Sequence, residues 1–236
     1  MTEHTYKAYD EDLGALKTLL ARMGGLAEEQ LARATDALSR RDGKLADQVI
    51  ADDEKIDALE REVEQKAILT IAKRQPMARD LREIIVAIRI ASDLERIGDL
   101  AKNTAKRTHA VSEALPRKLM TGLARMGRLA QDQLKAVLDA YAAGDAARAL
   151  EVWHADEDLD ALYTSIFREL LTYMMEDPRL IGMCTHLLFG AKNMERIGDH
   201  TTNIAENIHY LVHGSVLAGE RPKKDMTSTT RYEESP

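Results

Sequence analysis

A long internal repeat constrains the fold of this chain more than any other feature of its sequence. Residues 20–31 read LARMGGLAEEQL and residues 123–134 read LARMGRLAQDQL, so that nine of the twelve positions are identical. A second motif, Glu-Arg-Ile-Gly-Asp, also occurs twice, at residues 95–99 and again at 195–199. The offsets are 103 residues for the first motif and 100 for the second. Self-similarity at nearly the same distance indicates two copies of one structural unit, joined by duplication.

Each unit has the sequence pattern of three helices. Apolar residues such as Leu16 and Leu20 recur at intervals of three or four, and aromatic residues make up only 4% of the chain. The breaks in this pattern predict six helices, at residues 6–40, 44–74, 77–112, 117–142, 145–176 and 179–213. The expected fold is all-α: two tandem antiparallel three-helix bundles related by internal duplication, at residues 6–114 and 115–214. The polar segment 215–236 is predicted to be disordered.

Acidic residues are paired four positions apart in both units, so each pair lies on one face of a helix. Each repeated motif supplies one pair, and an upstream helix supplies another. The first quartet is Asp53, Asp57, Glu95 and Asp99, and the second quartet is Asp156, Asp160, Glu195 and Asp199.

Counting from one proline predicts that the four acids of the first quartet meet. Asp57 and Glu95 are each 19 residues from Pro76, and Asp53 and Asp99 are each 23 residues from it. Two antiparallel helices joined at Pro76 therefore bring these carboxylates to the same height. The second quartet has nearly the same spacing about Pro178. Four carboxylates at one height repel one another unless a positive charge lies among them.

A metal ion is one source of that charge. Carboxylate oxygens are hard ligands that suit divalent or iron-type metal ions, and iron, zinc, manganese and magnesium all stay possible. The Glu-x-x-His motif of di-iron bundle enzymes is missing, because Gly98 and Gly198 take the place of the histidine. His154 and His200 flank the second quartet only, so a ligand role for them is not duplicated. The alternative is a purely structural helical module whose acids are solvated and bind no metal.

The composition excludes several other classes of function. The net charge is −7 and no basic patch stands out, which disfavours nucleic acid as a partner. No apolar stretch is long enough to span a membrane. The one cysteine, Cys184, lies in an apolar helical pattern and is predicted to be a buried thiol. We expect a cytoplasmic protein.

These motifs give the chain a resemblance to the PhoU family, the accessory regulators of the phosphate-specific transport system. The resemblance covers about residues 10–213 and is carried by the doubled Glu-Arg-Ile-Gly-Asp motif, the two-unit repeat, Ala72-Lys73-Arg74-Gln75-Pro76 and the segment LTYMMED at residues 171–177. It implies two three-helix bundles that carry metal at the two quartets. It also implies an adaptor rather than an enzyme. The implied partners are the ATPase of a phosphate ABC transporter and a membrane sensor histidine kinase, and the implied effect is restraint of the phosphate-starvation response.

The same resemblance implies self-association as a homodimer, and attachment to the membrane only through partners. The residues themselves leave a different class of function open, since a carboxylate-rich bundle also suits a metal-binding enzyme or a metal-storage protein. No catalytic base stands beside the quartets in the sequence, which favours the adaptor.

Overall fold

The computed structural model of the protein describes residues 2–111, 117–219, 225 and 227, and every regular element in those residues is helical. The α-helices are α1 (Thr2–Arg40), α2 (Gly43–Asp52), α3 (Glu54–Arg74), α4 (Arg79–Arg107), α5 (Arg117–Ala143), α6 (Ala146–Glu176) and α7 (Ile181–His213). Short 3-10 helices follow α4 and precede α7, at Thr108–Ala110 and Pro178–Leu180. None of the described helices combines the length and apolar character needed to cross a membrane.

The helix predicted at 44–74 is wrong in one respect, because it is interrupted at Asp53. The backbone of Asp53 keeps helical angles, with φ −58° and ψ −35°, so this single residue separates α2 from α3 without reversing the chain; this interruption is called the α2–α3 kink. Its carbonyl accepts hydrogen bonds from the amides of Ile56 at 2.9 Å and Asp57 at 3.3 Å, and this mixture of three- and four-residue spacing tightens the helix locally. The kink falls on the first residue of the first quartet.

The turn between α3 and α4 is longer than predicted, because the sequence pattern placed the start of the next helix just after Pro76. Gln75 ends α3 in the left-handed conformation, at φ 49°, and its amide donates to the carbonyl of Ile71 at 3.0 Å. Pro76 then follows, and α4 begins only at Arg79. At its other end, the helix predicted to reach residue 112 gives way to the 3-10 helix after Arg107, and residues 112–116 lie outside the described residues.

The helices form two three-helix units, as predicted. The first consists of α1, the kinked pair α2 and α3, and α4, and the second of α5, α6 and α7. The units pack on each other through α4 with α7 and α1 with α5, so their buried side chains form one continuous core. Cys184 is fully buried in it, as predicted.

The α4 and α7 helices run antiparallel across the contact between the units. Arg82, near the start of α4, lies over the ring of Tyr210 near the end of α7, with 5.8 Å to the ring centroid. At the other end of α4, Arg107 lies over the ring of Phe189 near the start of α7, at 5.1 Å. The turns that precede α4 and α7 therefore lie at opposite ends of the molecule.

The α1 and α5 helices meet in the same antiparallel way, through glycines. A Cβ placed on Gly24 would come within 2.9 Å of Leu138, and one on Gly127 would come within 2.3 Å of Thr35. Gly24 and Gly127 hold equivalent positions of the repeat, and so do Thr35 and Leu138. One contact is thus a copy of the other, and the two units are related by a local twofold axis.

Candidate functional site

The first quartet brings together two carboxylates from different helices around a lysine. The ammonium of Lys102 donates to Oδ2 of Asp53, at the α2–α3 kink, and to Oδ1 of Asp99 on α4, the latter at 2.5 Å. Asp53 and Asp99 therefore lie side by side, as the spacing from the proline predicted. Burial lowers the pKa of Lys102, but hydrogen bonds to the two carboxylates and their charges outweigh it, so its pKa is raised overall and the ammonium is charged.

Asp53 is buried and its second oxygen is also occupied. Nε2 of Gln30, on α1, donates to Oδ1 of Asp53 at 2.8 Å and to the carbonyl of Gly98 at 3.2 Å. Gly98 lies beside this group: a Cβ there would be in ordinary contact with Oδ1 of Asp53, at 3.5 Å, and tight only against Cδ1 of Ile56, at 3.0 Å. Both oxygens of Asp53 thus have fixed donors, one from Gln30 and one from Lys102.

Asp57 and Glu95 form the other half of the first quartet. Burial raises the pKa of Glu95; Arg96 opposes the shift, while the negative charges of Asp99, Glu60 and Asp57 add to it. The guanidinium of Arg96 lies 3.4 Å from Glu95 and 3.9 Å from Asp99. This half of the quartet is more exposed to solvent, and the cation beside it is the exposed guanidinium of Arg96.

The second quartet is more deeply buried than the first. Asp156, Asp160 and Glu195 are only 1%, 3% and 4% exposed, and Asp199 is half-buried. Burial raises the pKa of Glu195 to about 7, with Lys192 opposing and the charges of Asp199 and Asp160 adding to the shift. The charges of Asp160 and Asp199 thus act on Glu195 and disfavour its ionised form.

Lys192 contacts the second quartet, but from a different position than Lys102 has in the first quartet. Its ammonium lies 2.8 Å from Oε1 of Glu195 and 3.0 Å from Oδ2 of Asp225, in the C-terminal segment. Asp225 also accepts from the amide and hydroxyl of Thr227. The segment predicted to be disordered, residues 215–236, is described at 215–219, 225 and 227 only, and its remainder lies outside the described residues.

Among the buried oxygens at the second quartet, Oε2 of Glu195 and Oε1 of Gln133 accept no hydrogen bond from any described residue. Gln133 donates through Nε2 to the carbonyl of Ala155 at 2.9 Å, which leaves its oxygen free to face the cluster. Buried oxygens without donors are costly and are commonly satisfied by a water or an ion.

Each quartet is thus part of a repeated arrangement of glutamine, aspartate and glycine. Gln133 and Asp156 are the repeat equivalents of Gln30 and Asp53. A Cβ placed on Gly198 would come within 2.5 Å of Oδ1 of Asp156 and 3.5 Å of Oε1 of Gln133. The sequence prediction missed both glutamines. They lie inside the duplicated twelve-residue segment, and the signal that could have found them is that the same polar residue occurs in both copies of an otherwise apolar helix.

The histidines near the second quartet make other contacts. Nδ1 of His200 lies 3.0 Å from Oδ1 of Asp93, on α4, so this residue joins the two units. The ring of His154 packs edge-on against that of Trp153, with 5.0 Å between the ring centroids.

The fit of a metal ion differs between the quartets. Nowhere among the described residues do three His, Cys, Asp or Glu side chains converge closely enough to hold a metal ion. In the first quartet the ammonium of Lys102 already lies between the carboxylates. The second quartet offers buried carboxylates and an oxygen of Glu195 that accepts no hydrogen bond from a described residue, and carboxylate oxygens are the ligands that hard cations take.

Comparison with known proteins identifies relatives over almost the whole chain. The family model described as "PhoU domain" matches residues 20–108 and 123–208, one match in each unit. The chain is 58% identical over 227 residues to a protein of Rhizobium meliloti (strain 1021) named "Phosphate-specific transport system accessory protein PhoU homolog", covering 96% of each chain. A protein of Caulobacter vibrioides with the same name is 55% identical over 229 residues, covering 97% of this chain and 100% of the relative.

Two solved structures share the fold. The crystal structure of PhoU from Pseudomonas aeruginosa superposes with a TM-score of 0.84 at 39% identity, covering 88% of this chain and 100% of that one. The crystal structure of the phosphate transport system regulatory protein PhoU from Streptococcus pneumoniae gives a TM-score of 0.82 at 28% identity, covering 89% and 99%.

Proposed function

This chain belongs to the PhoU family, and from that premise we propose that it is an accessory protein of a phosphate-specific transport system and regulates phosphate uptake. The observation that carries the proposal is the similarity to such accessory proteins at 58% and 55% identity across both units. A match confined to one unit would have supported only the fold.

We propose further that the protein is a cytoplasmic adaptor and not an enzyme. It links the ATPase of the phosphate ABC transporter to a membrane sensor histidine kinase, and it restrains the phosphate-starvation response when phosphate is plentiful. It meets the membrane only through these partners and associates as a homodimer.

Two apolar helix turns support a linking role. Met77 and Leu81 are exposed beside the turn before α4, and Met175 and Ile181 are exposed beside the turn before α7, with exposed fractions from 37% to 80%. These turns lie at opposite ends of the molecule. Exposed apolar groups of this kind mark surfaces that other proteins cover, and two such surfaces suit a protein with two partners.

Metal binding by the carboxylate quartets is also part of this proposal. The candidate ligands are the eight carboxylates of the two quartets, and their hard oxygens favour manganese, magnesium, iron or zinc over softer ions. The buried, donor-free oxygen of Glu195 supports the second quartet. A bound cation would neutralise part of the quartet and tie the two helices of a hairpin together.

Capture of both partners by the full-length protein tests the adaptor. The transporter ATPase and the cytoplasmic part of the kinase are each offered to the immobilised protein at high and at low phosphate. We expect both to be retained, and we expect Met77→Asp or Met175→Asp to lower the retention of one partner. Met77→Leu is the matched control, since it keeps an apolar side chain at the same position.

A starvation-responsive reporter gives the cellular counterpart. Removing the protein from cells grown in high phosphate should switch the reporter on. Retention of neither partner at either phosphate concentration, with a reporter that stays off, contradicts the adaptor function.

A further inference from the structure

The chain beyond α7 turns back over the groove between α6 and α7. Gly214 follows α7 in the left-handed conformation, at φ 76°, and its amide donates to the carbonyl of Tyr210 at 2.9 Å. Leu217 then packs against the core. It lines one recess with Trp153 on α6 and Glu206 on α7, whose side chains are joined by a hydrogen bond of 3.0 Å. The C-terminal segment therefore begins in contact with both helices of the second hairpin.

A second contact lies farther along the same groove. Oδ2 of Asp225 lies 3.0 Å from the ammonium of Lys192 on α7, and the side chain of Asp225 is only 17% exposed. Lys192 in turn lies over the ring of the buried Tyr163 on α6, with 4.9 Å to the ring centroid. Burial raises the pKa of Tyr163, and Lys192 and a hydrogen bond with Thr227 oppose the shift. Asp225 and Thr227 thus contact one helix each.

The length of chain between the two contacts matches their separation along α7. Lys192 and Glu206 are fourteen residues apart, which corresponds to about 21 Å at the helical rise of about 1.5 Å per residue. The six residues from Gly219 to Asp225 reach at most about 20–22 Å. The segment therefore has enough length for a single passage along the groove, antiparallel to α7.

The side chains that contact the end of this segment are not part of the internal repeat. Lys192 corresponds to Ser92 in the first unit, and Tyr163 corresponds to Glu60. Serine and glutamate cannot form the pair of a cation over an aromatic ring. The two units differ where the segment lies, which indicates that Lys192 and Tyr163 belong to the contact with the segment and not to the shared three-helix architecture.

Lys192 holds the segment through a charged hydrogen bond. Burial lowers the pKa of Lys192, but hydrogen bonds to Glu195 and Asp225 and the charges of these carboxylates raise it overall to about 12. The ammonium is therefore charged and joins α7 to the segment. A short tether also keeps Asp225 near Lys192 at an effective concentration on the order of millimolar, which a separate peptide would have to exceed.

We propose that the C-terminal segment, anchored by Leu217 and Asp225, is the resident ligand of the α6–α7 groove of its own chain, so that another protein reaches this groove only by displacing it. A competitor must supply a carboxylate for Lys192, as Asp225 does, which makes an acidic peptide the kind of partner that fits. The proposal goes beyond the adaptor function and does not depend on metal binding by the quartets.

Zero-length cross-linking tests the contact in solution. A carbodiimide joins an ammonium to a carboxylate only where the two groups are already in contact. Full-length protein is treated, the monomer band of a denaturing gel is digested, and the linked peptides are identified by mass spectrometry. We expect a Lys192–Asp225 link beside a Lys192–Glu195 link, and the latter serves as the internal control because its two residues lie on one helix.

Acetylation of Lys192 tests whether the segment covers the groove. An amine-reactive acetyl ester is added to the full-length protein, and the rate at Lys192 is measured relative to the exposed Lys106 in the same sample. We expect Asp225→Asn to raise this relative rate by about two- to fivefold, because it removes one partner of the ion pair. Asp132→Asn removes an exposed carboxylate from α5 and should leave the rate unchanged.

The opposite results are equally definite. A Lys192–Glu195 link without a Lys192–Asp225 link shows that the segment lies elsewhere and overturns the proposal. A Lys192–Asp225 link confined to the dimer band assigns the groove to the segment of a second copy, which also overturns it. An unchanged acetylation rate in Asp225→Asn overturns the claim that the segment controls access to the groove. The adaptor function stands or falls separately, on the capture of its partners.

Discussion

Lys102 donates a hydrogen bond to the buried carboxylate of Asp53, which lies 49 residues earlier in the chain. The contact joins the α2–α3 kink to α4. It is supported by Gln30, which holds the other oxygen of Asp53, and by the close approach of Gly98.

Replacing Lys102 by methionine should strongly destabilise the metal-free protein. The substitution leaves the buried carboxylate of Asp53 without its cation, a change that costs about 3–5 kcal/mol of unfolding free energy. Adding Asp53→Asn to Lys102→Met should restore a large part of that loss. Urea unfolding in EDTA measures both effects, and Lys106→Met, at an exposed site on α4, should change the unfolding free energy by less than about 0.5 kcal/mol.

The Gly198→Ala substitution should destabilise the second unit. Its Cβ would come within 2.5 Å of Oδ1 of Asp156 and of Cδ2 of Leu159. Overpacking of this kind costs about 1–3 kcal/mol, more than the roughly 0.5–1 kcal/mol that alanine gains over glycine in a helix. In Gly25→Ala the new Cβ meets nothing within 4 Å. That control should stabilise, and a thermal melt that ranks the two the other way would contradict the packing.

The Gly127→Ala substitution should weaken the contact between the units. Its Cβ would come within 2.3 Å of Cγ2 and 2.5 Å of Oγ1 of Thr35. Thr35→Ala removes both of these atoms, so the double variant should recover part of the roughly 1–3 kcal/mol lost by Gly127→Ala alone. A double-mutant cycle from urea unfolding measures this coupling. Additive effects of the two substitutions would count against a direct contact.

The stability of the metal-free protein should fall as pH rises from about 4.5 to about 7. Burial raises the pKa of Glu195 from 4.5 to about 7, so in this window the folded protein keeps a proton that the unfolded chain has released. Unfolding is therefore favoured as pH increases, by about 3 kcal/mol in total at 1.36 kcal/mol per pKa unit.

Unfolding free energies across this pH range, measured in EDTA, check the sign. Glu195→Gln should flatten the profile, because the amide does not titrate. The exposed Glu62→Gln should leave it unchanged. A profile that rises between these pH values in the unaltered protein would refute the assignment to Glu195.

The helices were predictable because their signals are local. Apolar spacing and the breaks at Asp42-Gly43 and Gly144-Asp145 place them within a few residues, and the two aspartates cap α2 and α6 through their side chains. The kink at Asp53 was not predictable in this way. Asp53 lies against Gln30 and Gly98, which are distant in sequence, and no local pattern indicates these contacts.

The sequence predicted the acidic residues of the candidate site but not that Lys102 lies between two of them. The proline spacing correctly brought Asp53 and Asp99 together, because helical rise converts residue number into height. The same spacing indicated that a positive charge must lie among the acids, and a metal ion was predicted to supply that charge. Lys102 was available one turn beyond Asp99, but a lysine on a charged helix is ordinarily solvated, and only the packing of α4 against the kink shows that it points inwards.

The local twofold axis has a consequence for communication within the protein. Between its two apolar turns lie the long helices α4 and α7, and α4 alone spans about 43 Å at 1.5 Å per residue. A change at one turn can therefore be passed to the other along α4 and α7, and the acids of both repeated motifs lie on these two helices.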